Sequence, residues 1–146
     1  MTVAPALLAV LLLAVPTPAR AQQSDVPPVL SRAFALLQKD SSDAATALWS
    51  HAWTGPADSG KADIIRNAFK ETREFAGPFR GYDIVKTEVI TPHLRRIYIL
   101  MLYERVPVYA QFLIYDPGGP SPAWQVQTVT WNTDMEKAWP ASLWTH

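Results

Sequence analysis

Tyr109–Asp134 reads YAQFLIYDPGGPSPAWQVQTVTWNTD, and this stretch decides the fold. Its first part belongs to a strand over Val108 to Tyr115, rich in aromatic and branched residues. Asp116 to Pro122 then packs two Gly and three Pro into seven residues, a composition that neither helix nor strand tolerates. Trp124 to Asn132 follows as a second strand, with Trp124, Val126, Val129 and Trp131 as its apolar positions. A link this short makes the two strands antiparallel neighbours.

Upstream the pattern continues. Leu94 to Glu104 (LRRIYILMLYE) is a strand that is apolar on both faces in its middle, and Arg105-Val106-Pro107 is its tight return. Before it, Tyr82 to Thr91 alternates Ile84, Lys86, Glu88 and Ile90 against Val85, Thr87 and Val89, and Pro92-His93 makes the turn. The result is a four-stranded meander.

Ahead of Gly81 the period is helical. Pro27-Pro28 opens a helix to about Lys39, because proline suits a first helical turn, and Leu30, Phe34 and Leu37 form its stripe. Asp40-Ser41-Ser42-Asp43 supplies capping residues between it and a second helix carrying Ala45, Leu48, Trp49 and Ala52. Thr54 to Gly60 reads as a loop. A third helix spans about Lys61 to Ala76, with Ile65, Ala68, Phe69, Thr72 and Phe75/Ala76 on one side, and Gly77-Pro78 stops it. The class is therefore α+β, with N-terminal helices packed on one face of a four-stranded antiparallel sheet. Helices cover one face only. The other needs a partner subunit or the tail, Thr133 to His146, which holds Trp139 and Trp144.

Helices first, then antiparallel strands, then a late Trp strand: in this order the chain resembles the NTF2-like superfamily of SnoaL and ketosteroid isomerase-like proteins. The residues that carry the likeness are Trp124, Val126, Val129 and Trp131 after the Gly/Pro turn. The segment Gly77-Pro-Phe-Arg-Gly-Tyr82 resembles small exported members of unknown function. The likeness runs from about Pro27 to Asp134. It implies a curved sheet that closes with the helices into a cone-shaped pocket. Relatives use that pocket for acid/base chemistry, for binding, or only for packing.

Residues 1–21, MTVAPALLAVLLLAVPTPARA, read as a signal peptide. The apolar core Ala6 to Val15 is ten residues long, too short to span a bilayer, and Ala19-Arg20-Ala21 is a cleavage pattern. An uncleaved anchor is the alternative. The expected product is a single NTF2-like domain over residues 22–146, periplasmic or secreted, with no stable membrane insertion after cleavage. It has 125 residues and a formal charge of −1, since Arg20 leaves with the leader. A near-neutral chain with no basic block does not suit nucleic acid. The adjacent pair Arg95-Arg96 lies on a strand and so splits between its two faces. There is no cysteine, which excludes thiol catalysis, disulfides and thiolate metal sites.

An isomerase of the resembled family needs a carboxylate or His inside the cone. Asp83 and Asp116 fall at strand ends, Glu88 shares a face with Lys86, and Glu104 adjoins Arg105 at a turn. All four read as structural, because unpaired charges are seldom buried. His51 lies between Trp49 and Trp53, His93 in a turn and His146 at the last position; no spacing among them makes a metal site. Neither a metal nor another cofactor is implied. Six Trp, five Tyr and five Phe are the remaining clue. Tyr103, Tyr109, Gln111, Tyr115 and Trp131 lie on neighbouring strands and are the candidate ligand-binding residues, since hydrogen-bonding groups in an apolar wall line small-molecule sites. The competing account has them covering the outer sheet face or a dimer seam.

The expected function is an exported, non-catalytic binding or interaction domain whose partner is a small apolar ligand or an envelope protein. Two alternatives stand beside it. One is a ketosteroid isomerase or SnoaL-like enzyme acting on a small apolar substrate. The other is a structural module that forms a homodimer through its sheet face.

Overall fold

The computed structural model describes residues 26–50 and 59–144. The leader, His51, Trp53, most of the expected loop at 54–60, and His146 lie outside the described residues. Helix α1 (Pro28–Gln38) starts where Pro28 takes its first turn. It ends at Gln38, and two residues on, Asp40 is left-handed (φ 59°), a conformation aspartate tolerates better than most residues. Leu30, Ala33, Phe34 and Leu37 form its buried stripe. Helix α2 (Ser42–Ser50) buries Ala45 and Trp49, and its buried Thr46 hydroxyl donates to the Ser42 carbonyl at 2.7 Å.

Helix α3 (Ser59–Ala76) starts two residues before the expected Lys61 and stops as the Gly-Pro pair requires. Gly77 has φ 87° and donates its N–H to the Arg73 carbonyl. The Arg105 guanidinium donates to the carbonyls of Glu74 and Phe75, at 3.2 and 3.1 Å, satisfying two groups the helix end would otherwise leave open. Phe69 is the buried anchor of this helix. Ala76 is buried and Phe75 is exposed, so the stripe closes on Ala76 alone.

Four strands follow: β1 (Phe79–Thr91), β2 (Leu94–Tyr103), β3 (Pro107–Tyr115) and β4 (Gln125–Asn132). They form one antiparallel sheet in the order β1-β2-β3-β4, so β1 and β4 are its edges. β1 begins three residues earlier than the alternation from Tyr82 suggests. Glu104 donates its N–H to the Pro78 carbonyl, which starts the pairing at once, and Phe79 is buried against Phe34 and Tyr103. Trp124 stands just outside β4, whose ladder begins at Gln125.

The three helices lie on one face of the sheet. Ile97, Ile99, Met101, Val108, Ala110, Phe112, Ile114, Val126 and Val129 point toward them and are buried. Gln38 ties α1 to the sheet edge, its carboxamide donating to the Arg80 carbonyl. The opposite face is covered in part by the tail. A short helix α4 (Met135–Ala138), capped by Asp134, delivers Trp139 onto that face. The Trp139 indole donates to the Ala110 carbonyl at 3.0 Å, and its ring stands edge-on to Tyr109 and Tyr98. Tyr98, on this outer face, is 1% exposed.

Candidate functional site

The alternation of β2 and β3 divides the five candidate residues. Val108, Ala110, Phe112 and Ile114 face the helices, so Tyr109, Gln111 and Tyr115 face the other way. Tyr109 touches Trp139, Gln111 pairs with Tyr98 across the ladder, and Tyr115 is exposed at the strand end. Tyr103 and Trp131 belong to the helix-facing side. Trp131 stacks on Phe69 with ring centroids 4.2 Å apart and donates its indole N–H to the Thr72 hydroxyl at 3.0 Å. Tyr103 packs edge-on to Phe79. Burial pushes its phenol well above the usual value, with the Arg73 charge working weakly the other way. The sheet therefore keeps these five residues on two surfaces, and the period of two on β3 already put Tyr109, Gln111 and Tyr115 on one of them.

Between helices and sheet the described aromatic side chains pack ring against ring. Trp49 is fully buried and touches Phe34, Phe69 and Phe112, with centroids 5.6, 4.8 and 5.1 Å away. Phe34 in turn stacks on Tyr82 and Phe79. Among the described residues the one buried carboxylate is Asp116, which accepts the N–H groups of Gly118 and Ala123 and so closes the β3–β4 loop. Glu104 pairs with Arg80 across the β1–β2 ladder, where adjacency in sequence had suggested Arg105. No group of three acidic, His or Cys residues among the described residues could hold a metal ion.

Glu88 sits in the most connected polar cluster. It lies on the outer face with Lys86 at 3.0 Å and Arg96 at 3.4 Å, and it accepts the Tyr98 hydroxyl at 3.2 Å. The hydrogen bond from Lys86 is the main reason its carboxyl titrates below the ordinary glutamate value of 4.5, with Tyr98 and the charges of Lys86 and Arg96 adding to it against partial burial. Arg95, on the other face, stacks its guanidinium over the Trp124 ring at 4.6 Å. This arrangement splits the two arginines as a strand must.

Among the described residues an open concavity lies elsewhere, between α3 and the edge strand β4. It measures about 300 Å³ and is lined by Lys61, Ile64 and Ile65 from the helix and by Gln127, Thr128 and Val129 from the strand. Ile65 and Val129 belong to or pack on the core, whereas Ile64 is 68% exposed at the rim. Sequence reasoning missed this groove because it needs the spatial neighbourhood of α3 and β4, some sixty residues apart. The available signal was Ile64, an apolar residue that the α3 stripe leaves unused. A second hollow of about 300 Å³ at the far end of α3 is lined by Lys70, Arg73, Glu74, Gly77, Pro78 and Arg105, four of them charged. Its arginines are engaged, Arg73 with Asp40 and Arg105 with the helix carbonyls.

The chain matches no protein-family model, no curated protein and no solved structure. Among the described residues no helix is long and apolar enough to cross a membrane.

Proposed function

We propose that this chain is an exported, non-catalytic binding domain of NTF2-like architecture that holds an apolar group in the groove between α3 and β4. One observation carries the reading. Among the described residues Trp49, Phe34, Phe69 and Phe112 pack ring against ring between helices and sheet, while the α3–β4 groove is open, has apolar walls from Ile64, Ile65 and Val129, and carries polar groups at Lys61, Gln127 and Thr128. An apolar lining with a few polar groups is what a small-molecule site requires. The order of three helices and a four-stranded meander supports the NTF2-like reading, and the ten-residue apolar core before Ala19-Arg20-Ala21 supports export with Gln22 as the first mature residue.

The test is fluorescence titration with an apolar anionic dye, anilinonaphthalene sulfonate, on wild type and Ile64→Glu. Ile64 is exposed, so the variant keeps its fold. Binding weaker by about tenfold or more is expected, in line with losing the burial of one large apolar side chain. Equal binding by both proteins would remove the groove as the site. N-terminal sequencing of exported material checks the leader, with Gln22 expected and Met1 contradicting it.

A further inference from the structure

At the opposite edge of the sheet, β1 has β2 on one side and, among the described residues, no strand on the other. Its contacts with α1 fall near its start, where Gln38 reaches the Arg80 carbonyl and Phe34 stacks on Tyr82. Beyond them the strand runs on to Thr91. Three of the six exposed large apolar side chains among the described residues sit there within six positions: Val85, Val89 and Ile90. Irregularities in the pairing with β2 fall between Ile84 and Lys86 and between Val89 and Thr91, leaving Lys86 to Val89 in unbroken register. An edge of this kind is open to a further strand.

The sequence of that run reads as its own complement. If a second copy is laid antiparallel with Thr87 facing Thr87, Lys86 faces Glu88 of the other copy, Glu88 faces Lys86, and Val85 faces Val89. The outer-face pairs are then of opposite charge, twice over, and the exposed valines meet each other. Opposite charges and branched residues directly across an antiparallel ladder are the pairs that stabilise it. A two-fold axis through Thr87 closes the assembly at two copies, because each chain has spent its one open β1 edge. We propose that β1 pairs with β1 of a second copy about Thr87, joining two four-stranded sheets into one of eight strands. The surface is separate from the α3–β4 groove, and the proposal does not depend on what that groove holds.

The short regular run and the flanking irregularities make this a concentration-dependent contact. The experiment uses the full chain, expressed with its own N-terminal segment. Sedimentation across a range of concentrations is expected to show a monomer–dimer equilibrium. Lys86→Glu places Glu opposite Glu twice, and Glu88→Lys places Lys opposite Lys twice. Each alone is expected to weaken the dimer about tenfold or more. Mixing the two variants restores both opposite-charge pairs and is expected to restore the dimer. Loss of the Arg96 and Tyr98 contacts could unfold Glu88→Lys, so a second measurement stands apart from it. The chain has no cysteine, and Thr87 is exposed, so Thr87→Cys introduces a lone thiol at the axis. Facing residues in a ladder have Cα atoms about 4.5–5.5 Å apart, within disulfide reach. Asp83→Cys would lie four residues from the axis, about 26 Å from its copy, beyond reach. Mild oxidation is expected to give covalent dimer from Thr87→Cys and little from Asp83→Cys. A wild type that stays monomeric throughout, or equal cross-linking from both positions, would overturn the proposal.

Discussion

Single residues divide here into those that fill space and those that hold charge. Trp49 and Trp131 fill space. Trp49→Ala removes a fully buried ring that touches three others, and a loss of about 3–5 kcal/mol is expected in urea unfolding. Trp131→Phe keeps the stack on Phe69 and deletes the hydrogen bond to Thr72, so it is expected to cost about 1 kcal/mol and no more than about 2. Trp124 is half-buried beneath Arg95, outside the β4 ladder, and Trp124→Ala is expected to cost less than Trp49→Ala. Glu88 holds charge. Its folded carboxyl titrates below the ordinary glutamate value of 4.5, so it contributes stability above that value and loses the contribution as pH falls through the lowered one. Glu88→Gln is expected to flatten the acid limb of a plot of melting temperature against pH. An unchanged limb would show that the Lys86, Arg96 and Tyr98 contacts are not what depresses it.

At the scale of the element, the boundary between α3 and β1 is the tightest joint. Gly77 is left-handed, and a Cβ there would meet the Glu104 Cβ at 3.2 Å and the Arg105 Nε at 3.4 Å. Gly77→Ala is therefore expected to lower stability by about 1–3 kcal/mol, from backbone strain together with displacement of the Arg105 guanidinium that caps the helix. A melting temperature equal to wild type would deny both. Most elements are legible in the sequence, because each has a local cause. Pro27-Pro28 starts a helix, Gly77-Pro78 ends one, and the Gly/Pro run after Asp116 separates two strands. The starts of α3 and β1 were less legible. Phe79 enters the sheet because it packs on Phe34 and Tyr103, and neither contact is near it in sequence. The same reason hid the groove. Ile64 and Thr128 belong to one concavity only after the helix layer has settled on β4.

For the whole molecule, the sheet is sandwiched between covers of unequal weight. Three helices shield one face, and a short tail shields part of the other through Trp139. Trp139→Ala is expected to destabilise the fold by about 3 kcal/mol or more and to raise dye binding at newly exposed Tyr98 and Tyr109. Dye binding unchanged from wild type would mean that the tail shields less than its contacts imply. The candidate site residues were placed on the correct strands from sequence, but a flat list of strand aromatics does not say which face each one takes. The alternation along β3 and the pairing of Trp131 with Ala110 do, and together they send Tyr109 and Trp131 apart. The two covers also differ in when they are made. The three helices precede every strand in the chain, so one face of the sheet can meet its shield as it forms. Trp139 follows all four strands. Until it is in place, the Tyr98 and Tyr109 rings lack their edge-on aromatic neighbour, and a chain truncated at Asn132 would offer that part of the outer sheet face to chaperones and to other unfolded chains.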